Sequence, residues 1–147
     1  LDAEYALVRY ELGVGLALAG QRDAAVDEIY HAVGLDASDG WAHVVLGLLV
    51  AEDGRVEEAA GVLEEGARLR PEDVEAQLLA ALAGAAVGGA DVPFEMLERA
   101  RQRAEGTERA LVEEVESHLD EGAEESAAWL SEQLGPAALR DRMMTRP

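Results

Sequence analysis

Cysteine and lysine are both missing from the 147-residue sequence. Without cysteine the chain can form neither disulfide bonds nor the thiolate zinc sites of small metal-binding domains. Without lysine all 12 basic residues are arginines, and 31 acidic residues outnumber them, which gives a formal net charge of −19. Proteins that bind nucleic acid need a basic stripe or patch, and no segment of this chain supplies one. We therefore expect no nucleic-acid partner.

The strong acidity has two explanations that the sequence does not separate. A lysine-free acidic composition is typical of proteins adapted to high salt, and it also follows from composition bias in a GC-rich bacterial genome. In either case the excess negative charge weakens the compact state through self-repulsion. We expect this acidic protein to become more stable when salt is added.

Long apolar runs are absent as well. The two longest stretches, 41–51 and 78–90, fall well short of the ~20 residues that a helix needs to cross a bilayer. No targeting segment is recognisable, and the first residue is Leu1 rather than methionine, as in a fragment of a larger protein. We expect a cytoplasmic protein that does not insert into membranes.

The patterns of catalytic and metal sites are missing too. His31, His43 and His118 are far apart and lack the spacing of zinc ligands. There is no glycine-rich phosphate loop, nucleophile elbow or triad pattern, and the carboxylates do not follow a calcium-loop spacing. We expect no enzyme activity, no metal site and no cofactor.

A repeat of 34 residues organises the part of the chain that precedes the C-terminal region. Residues 6–39 align with 40–73 without a gap, and 74–107 follow as a degenerate third copy in which Pro93 replaces an alanine. A fixed period in this range indicates stacked units that cannot bury their apolar faces alone. The identical pairs include Leu12 and Leu46, Gly13 and Gly47, Gly20 and Gly54, Ala25 and Ala59, and Leu35 and Leu69.

The repeated glycines have two different physical roles. Gly13 and Gly47 lie inside predicted helices, where glycine costs about 0.5–1 kcal/mol relative to alanine, so a close helix crossing is the expected compensation. We expect the repeated alanines at 25 and 59 to face them. Gly20 and Gly54 follow the first helix of each copy, where a residue with positive φ ends a helix.

The spacing of these residues resembles the tetratricopeptide repeat. The first copy departs from the family pattern at Ala37, where proline is expected, and both copies lack the first aromatic, having Arg9 and His43 instead. The resemblance implies an all-α single domain over 1–147, a right-handed superhelix of stacked antiparallel helix pairs with capping and tail helices over 108–147. The better-matching second copy carries Leu46, Gly47, Val50, Gly54, Ala59, Leu63 and Pro71.

The C-terminal region shows amphipathic helical spacing without the repeat. A capping helix is predicted from about Thr107 to Leu119, and a short amphipathic stretch follows Gly122. We expect Gly135-Pro136 to break this stretch, because proline disrupts a helix interior. Residues 137–144 would then form a last helical turn or two, and the tail beyond Thr145 should fray.

The family resemblance also implies a concave groove lined by the first helix of each repeat, in which such modules bind peptides or helices. Because the lining is apolar, the acidic-tail clamp that many family members build from lysine, arginine and asparagine is not expected. Trp41, Tyr10, Leu48 and Leu78 are the predicted anchors. The nine residues predicted to line the groove are Leu7, Tyr10, Val14, Leu18, Trp41, Val44, Leu48, Leu78 and Leu82.

Two functions fit this prediction. In the first, the protein is an adaptor whose groove binds an apolar helix or peptide segment of another protein. In the second, it is an assembly or scaffolding domain whose groove is filled by its own segment 127–144 or by a second copy in a homodimer. An exposed apolar strip of more than a few hundred Å² seldom persists in a soluble monomer, so we expect something to cover it.

Overall fold

The computed structural model describes residues 2–89 and 91–147, without the side chains of Asp91 and Val92. Its described residues contain helices and no strands, which confirms the all-α prediction. No helix in this part of the chain combines the length and apolar character required to cross a bilayer. The helices are α1 Asp2–Leu18, α2 Arg22–Leu35, α3 Gly40–Glu52, α4 Val56–Leu69, α5 Val74–Ala86, α6 Asp91–Arg103, α7 Thr107–Asp120, α8 Ala123–Ala128, a π-helical segment Trp129–Leu134, and α9 Gly135–Met144.

Successive helices pack as hairpins, α1 with α2, α3 with α4 and α5 with α6. The turns of these hairpins contain Gly20, Gly54 and Gly88 with φ of 84°, 80° and 81°. The prediction of positive φ at the first two glycines is therefore confirmed. Residues other than glycine rarely adopt this backbone conformation. Gly122, with φ of 111°, stands a further 34 residues along and separates α7 from α8.

The two buried helix glycines do allow close crossings within the hairpins. A Cβ on Gly47 would lie 2.6 Å from Cγ of Leu63, and a Cβ on Gly13 would overlap Cγ1 of Ile29. The close crossing is confirmed, and the backbone carbonyl oxygen of Ala25 lies 3.2 Å from the point where a Cβ on Gly13 would be. The nearest side chains, however, are not those of the alanines. The large side chains at 29 and 63 lie over the glycines, because they lie one helical turn beyond the alanines at 25 and 59 and reach across the crossing.

Helices α3 and α5 form the centre of the molecule. All residues from 42 to 51 in α3 and nearly all of α5 are buried. Each of these helices packs against its hairpin partner, against the helix before it and against the C-terminal region. A helix that is apolar on every side requires such enclosure. In contrast, α1 leaves Tyr5, Val8 and Leu12 about half exposed or more.

The last three elements form one unbroken helix over 123–144, here called the C-terminal helix. The predicted break at Gly135-Pro136 was therefore wrong. Proline lacks the N–H for an intrahelical bond and its ring clashes with the carbonyl four residues earlier, and the wider π-helical turns before it accommodate both defects. Gly135 permits this path, because a Cβ there would overlap the carbonyl oxygen of Leu130.

Candidate helix-binding face

The C-terminal helix folds back over the sides of α3 and α5 that were predicted to line a groove. These sides, together with the side of α1 predicted to line the same groove, are called the inner face below. Its α9 part lies against α3, its α8 part against α5, and its π-helical segment contacts both. The apolar residues Leu130, Leu134 and Leu139 of the C-terminal helix are buried. The inner face therefore holds an amphipathic helix supplied by the same chain.

The nine predicted groove residues divide by position. Leu7 and Leu18 lie at the rim with 44% and 56% of their surface exposed, and Trp41 is half-buried. Val44 does not belong to the groove, because its Cγ2 lies only 2.8 Å from the point where a Cβ on Gly66 would be, so it packs against α4. The remaining five are buried: Tyr10, Val14, Leu48, Leu78 and Leu82.

Three of these residues can be placed beside particular parts of the C-terminal helix and its tail. Leu48 contacts the helix at Gly135, where a Cβ would lie 3.8 Å from its Cδ2. Leu18 lines a surface pocket together with Leu139 and other residues of α9, and Leu7 lines another with the C-terminal tail. Leu48 and the two rim residues therefore lie beside the C-terminal helix or its tail.

Trp41 connects the inner face to the C-terminal helix through polar contacts. Its Nε1 donates to the backbone carbonyl of Arg142 at 3.1 Å and to the Tyr10 hydroxyl at 3.2 Å. The Arg142 and Arg70 guanidinium groups lie 4.7 and 5.0 Å from the centre of the indole ring. Arg146 lies 4.4 Å from the centre of the Tyr10 ring. Both aromatic rings therefore form cation–π contacts with arginines from the end of the chain.

Two aspartates one repeat apart receive those arginines. Asp39 and Asp73 are the N-caps of α3 and α5, and each accepts a hydrogen bond from the backbone N–H three residues on, at 3.1 and 3.0 Å. Arg146 Nη2 lies 2.5 Å from Asp39 Oδ2, and Arg142 Nη2 lies 2.7 Å from Asp73 Oδ1. The two aspartates, 34 residues apart in the repeats, thus pair with two arginines that are four residues apart in the C-terminal segment.

Arg142 is the most deeply buried charge of this group, with 3% of its side chain exposed. Its Nε also donates to Glu75 Oε1 at 3.1 Å. Breaking a buried ion pair by removing one partner typically costs about 3–5 kcal/mol, because the other charge is left without compensation. Arg142 therefore holds the C-terminal helix to α5 through two carboxylates.

The pKa values of the two carboxylates shift in opposite directions. Burial would raise the pKa of Asp73, but the hydrogen bond and charge of Arg142, helped by a backbone N–H and by Arg70, hold it below its usual value. Burial raises the pKa of Glu75, and the charge of Arg142 only partly offsets this. Burial likewise raises the pKa of the Tyr10 hydroxyl, which stays protonated at neutral pH.

Sequence reasoning missed the arginine–aspartate contacts. The tail beyond Thr145 was predicted to fray, but the Thr145 hydroxyl donates to the Asp141 carbonyl at 2.6 Å and Arg146 binds Asp39. One signal was available, since Asp39 and Asp73 occupy the same position in successive repeats. The ion pairs of these aspartates with Arg142 and Arg146 could not be predicted, because they depend on the path of the C-terminal helix.

A second cluster joins α7 to the C-terminal helix across Gly122. His118 Nδ1 lies 2.9 Å from Glu125 Oε1 and 3.8 Å from Glu121 Oε2, and the imidazole stacks on the Trp129 ring with 4.6 Å between centroids. His118, Glu121 and Glu125 are of metal-ligating types, and their candidate ligand atoms lie within 4.8 Å of one another. The hydrogen bond and the ring stack are sufficient to explain why these side chains lie together, since they connect α7 to the C-terminal helix.

One open surface cavity lies away from the inner face. It has a volume of about 670 Å³ and is lined by residues of the α3–α4 turn, the start of α4 and the end of α5. Arg55 Nη2 and Glu58 Oε2, 2.7 Å apart, pair at its edge. The cavity is shallow and open, and its charged groups are those of an ordinary solvated surface.

Comparison with protein-family models and with curated protein sequences finds no match to this chain. The resemblance to the tetratricopeptide repeat consequently rests on the residues alone.

Proposed function

We propose that this chain is a non-enzymatic, cytoplasmic protein-interaction module of the tetratricopeptide type, a right-handed superhelix that binds an amphipathic helix across the first helices of its repeats. The observation that carries the proposal is the C-terminal helix on the inner face. There Trp41, Leu48 and the half-buried carboxylates contact a helix with a leucine stripe and two arginines. Helix-in-groove recognition uses the same apolar anchors at helical spacing.

In this chain the bound helix is the module's own, so the inner face carries its ligand in the resting state. A related candidate is an assembly or scaffolding domain in which the C-terminal helix is a permanent part of the core. The burial of Arg142 between Asp73 and Glu75 favours that candidate, because a charge at this depth is costly to release. Both candidates place the same helix on the same face and differ in whether it exchanges.

The two candidates are separated by cutting the chain after Gly122 and supplying the removed segment as a peptide. Size-exclusion chromatography with light scattering on the intact and truncated chains reports the oligomeric state, and calorimetry reports peptide binding. An exchanging interaction module should remain folded when truncated, self-associate through its exposed face, and bind peptide 123–147 with 1:1 stoichiometry. Loss of the cooperative melt on truncation, with no peptide binding, would favour the scaffolding domain.

A further inference from the structure

We infer that the inner face selects helices carrying two arginines four residues apart, and that its external partner is an amphipathic helix of this chemistry from another protein. The inference rests on the proposed function and specifies its partner class. Asp39 and Asp73 would form ion pairs with the two arginines, while Leu48 and its neighbours would pack against the apolar stripe. The C-terminal helix, with Arg142 and Arg146, is the resident example of such a ligand.

The two aspartates are held in place before any ligand arrives. Each is fixed as a helix N-cap by a hydrogen bond from the backbone, so its carboxylate does not need to be ordered on binding. Asp73 is held further by Arg70 Nε at 2.9 Å from its Oδ2. Preorganised acceptors lose less entropy when a ligand binds and therefore discriminate better between ligands.

The contacts require arginine and not merely a positive charge. Arg142 donates from Nε to Glu75 and from Nη2 to Asp73, while its planar face lies over Trp41. A lysine has one ammonium at the end of a flexible stem and cannot supply this fork and the stacking plane together. Because the chain contains no lysine at all, the occurrence of arginine at these positions does not by itself indicate selectivity. The geometry of the contacts does.

The resident helix is an imperfect ligand, which leaves room for exchange. Nη1 of Arg142 and Nη1 of Arg146 are buried and find no acceptor among the described residues. A buried donor without a partner weakens the bound state. The net charge of −19 also attracts a basic external helix and repels an acidic one before contact.

The test uses the full-length chain with Arg142→Ala and Arg146→Ala, which weakens the resident contact and leaves the inner face intact. Fluorescence anisotropy at physiological ionic strength measures the binding of labelled peptide 123–147. Three versions are compared: the native peptide, one with lysine at both 142 and 146, and a matched control with lysine at the exposed Arg140. The native and control peptides should bind with equal affinity. The double-lysine peptide should bind at least about tenfold more weakly, because it loses the equivalent of one charge-assisted contact.

Adding Asp39→Asn and Asp73→Asn to the chain should reduce the difference between the native and double-lysine peptides. Equal binding of these two peptides to the starting variant would overturn the arginine selectivity and leave the proposed function standing. Failure of every peptide to bind both this variant and the chain truncated after Gly122, with each protein folded, would overturn both.

A second measurement covers the case in which the Ala variant does not fold. The intact chain with Arg142→Lys and Arg146→Lys is then compared with the Arg140→Lys chain by thermal melting. The first should melt several degrees below the native chain and the second at the native temperature. Equal melting of the two lysine variants would contradict the inference.

Discussion

Two glycines in α1 show how one residue type serves different purposes two positions apart. Gly13 lies at the crossing with α2, where a Cβ would overlap Ile29, whereas a Cβ on Gly15 would meet no atom within 4 Å. Only the first glycine is required by packing. The second lowers helix stability without a compensating contact, since glycine inside a helix is less favourable than alanine.

We therefore predict opposite effects for Gly13→Ala and Gly15→Ala. The first should lower the free energy of unfolding by about 1–3 kcal/mol through overpacking. The second should raise it by about 0.5–1 kcal/mol through helix propensity. Urea unfolding followed by circular dichroism measures both, and each variant is the control for the other. A destabilised Gly15→Ala protein would show that α1 is strained for a reason other than its crossing.

Asp73 and Glu75 should contribute to stability over different ranges of pH. The pKa of Asp73 is lowered in the folded state, so its stabilisation is complete above its unfolded pKa of about 3.9 and is lost as the pH falls through the folded value. The pKa of Glu75 is raised in the folded state. Its ionised form therefore weakens folding at neutral pH, and this penalty disappears as the pH falls through the folded pKa toward about 4.3.

The measurement compares Asp73→Asn and Glu75→Gln with the native chain in urea unfolding between pH 7 and pH 3. Asp73→Asn should be less stable at neutral pH and converge on the native chain only below about pH 3.9. For Glu75→Gln, the stability difference from the native chain should change in the range just above about pH 4.3. Differences that change over one common pH range would contradict the opposite shifts.

Equivalent helices of the repeat differ because only some are enclosed. Leu12 in α1 and Leu46 in α3 occupy the same repeat position, yet Leu12 is 48% exposed and Leu46 is 1% exposed. The α3 helix packs against α2, α4 and the C-terminal helix, whereas α1 packs mainly against α2. A repeat alignment therefore assigns a shared position and not a shared burial.

Alanine substitution at this pair should separate the two environments. Leu46→Ala should lower the free energy of unfolding by about 2–5 kcal/mol, because it leaves a cavity in the core. Leu12→Ala should cost less than about 1 kcal/mol, as for a residue that is already half in water. Thermal and urea unfolding of the two variants provide the comparison. A large loss for Leu12→Ala would indicate that something covers α1 in solution.

At the scale of the whole molecule, charge repulsion opposes the compact state. The excess of acidic residues is spread over the exposed sides of the helices, and salt shortens the Debye length from about 30 Å at 0.01 M to about 3 Å at 1 M. The ion pairs of Arg142 are buried and are screened much less. Added salt should therefore reduce the repulsion and leave the C-terminal helix in place.

We predict that the melting temperature rises between low and molar sodium or potassium chloride. Differential scanning calorimetry measures the rise, and sucrose at matched water activity serves as the uncharged control. The resident helix should remain bound throughout, which the fluorescence of Trp41 and Trp129 can follow. A melting temperature that stays flat or falls with salt would remove the repulsion argument and the case for adaptation to high salt that depends on it.

The sequence by itself determined the local features of this protein. Positive φ at Gly20 and Gly54, the close crossings at Gly13 and Gly47, and the all-helical character were predicted correctly because each depends on neighbouring residues and short-range sterics.

Only the tertiary structure decided the path and the contacts of the C-terminal helix. Whether Gly135-Pro136 breaks a helix depends on what the helix packs against, and the π-helical turns allow it to continue across α3 and α5. Arg142 and Arg146 are 69 and 107 residues away from the aspartates that bind them. No local pattern relates residues at such separations, because their contact exists only once the repeats have stacked and the C-terminal helix has folded back over them.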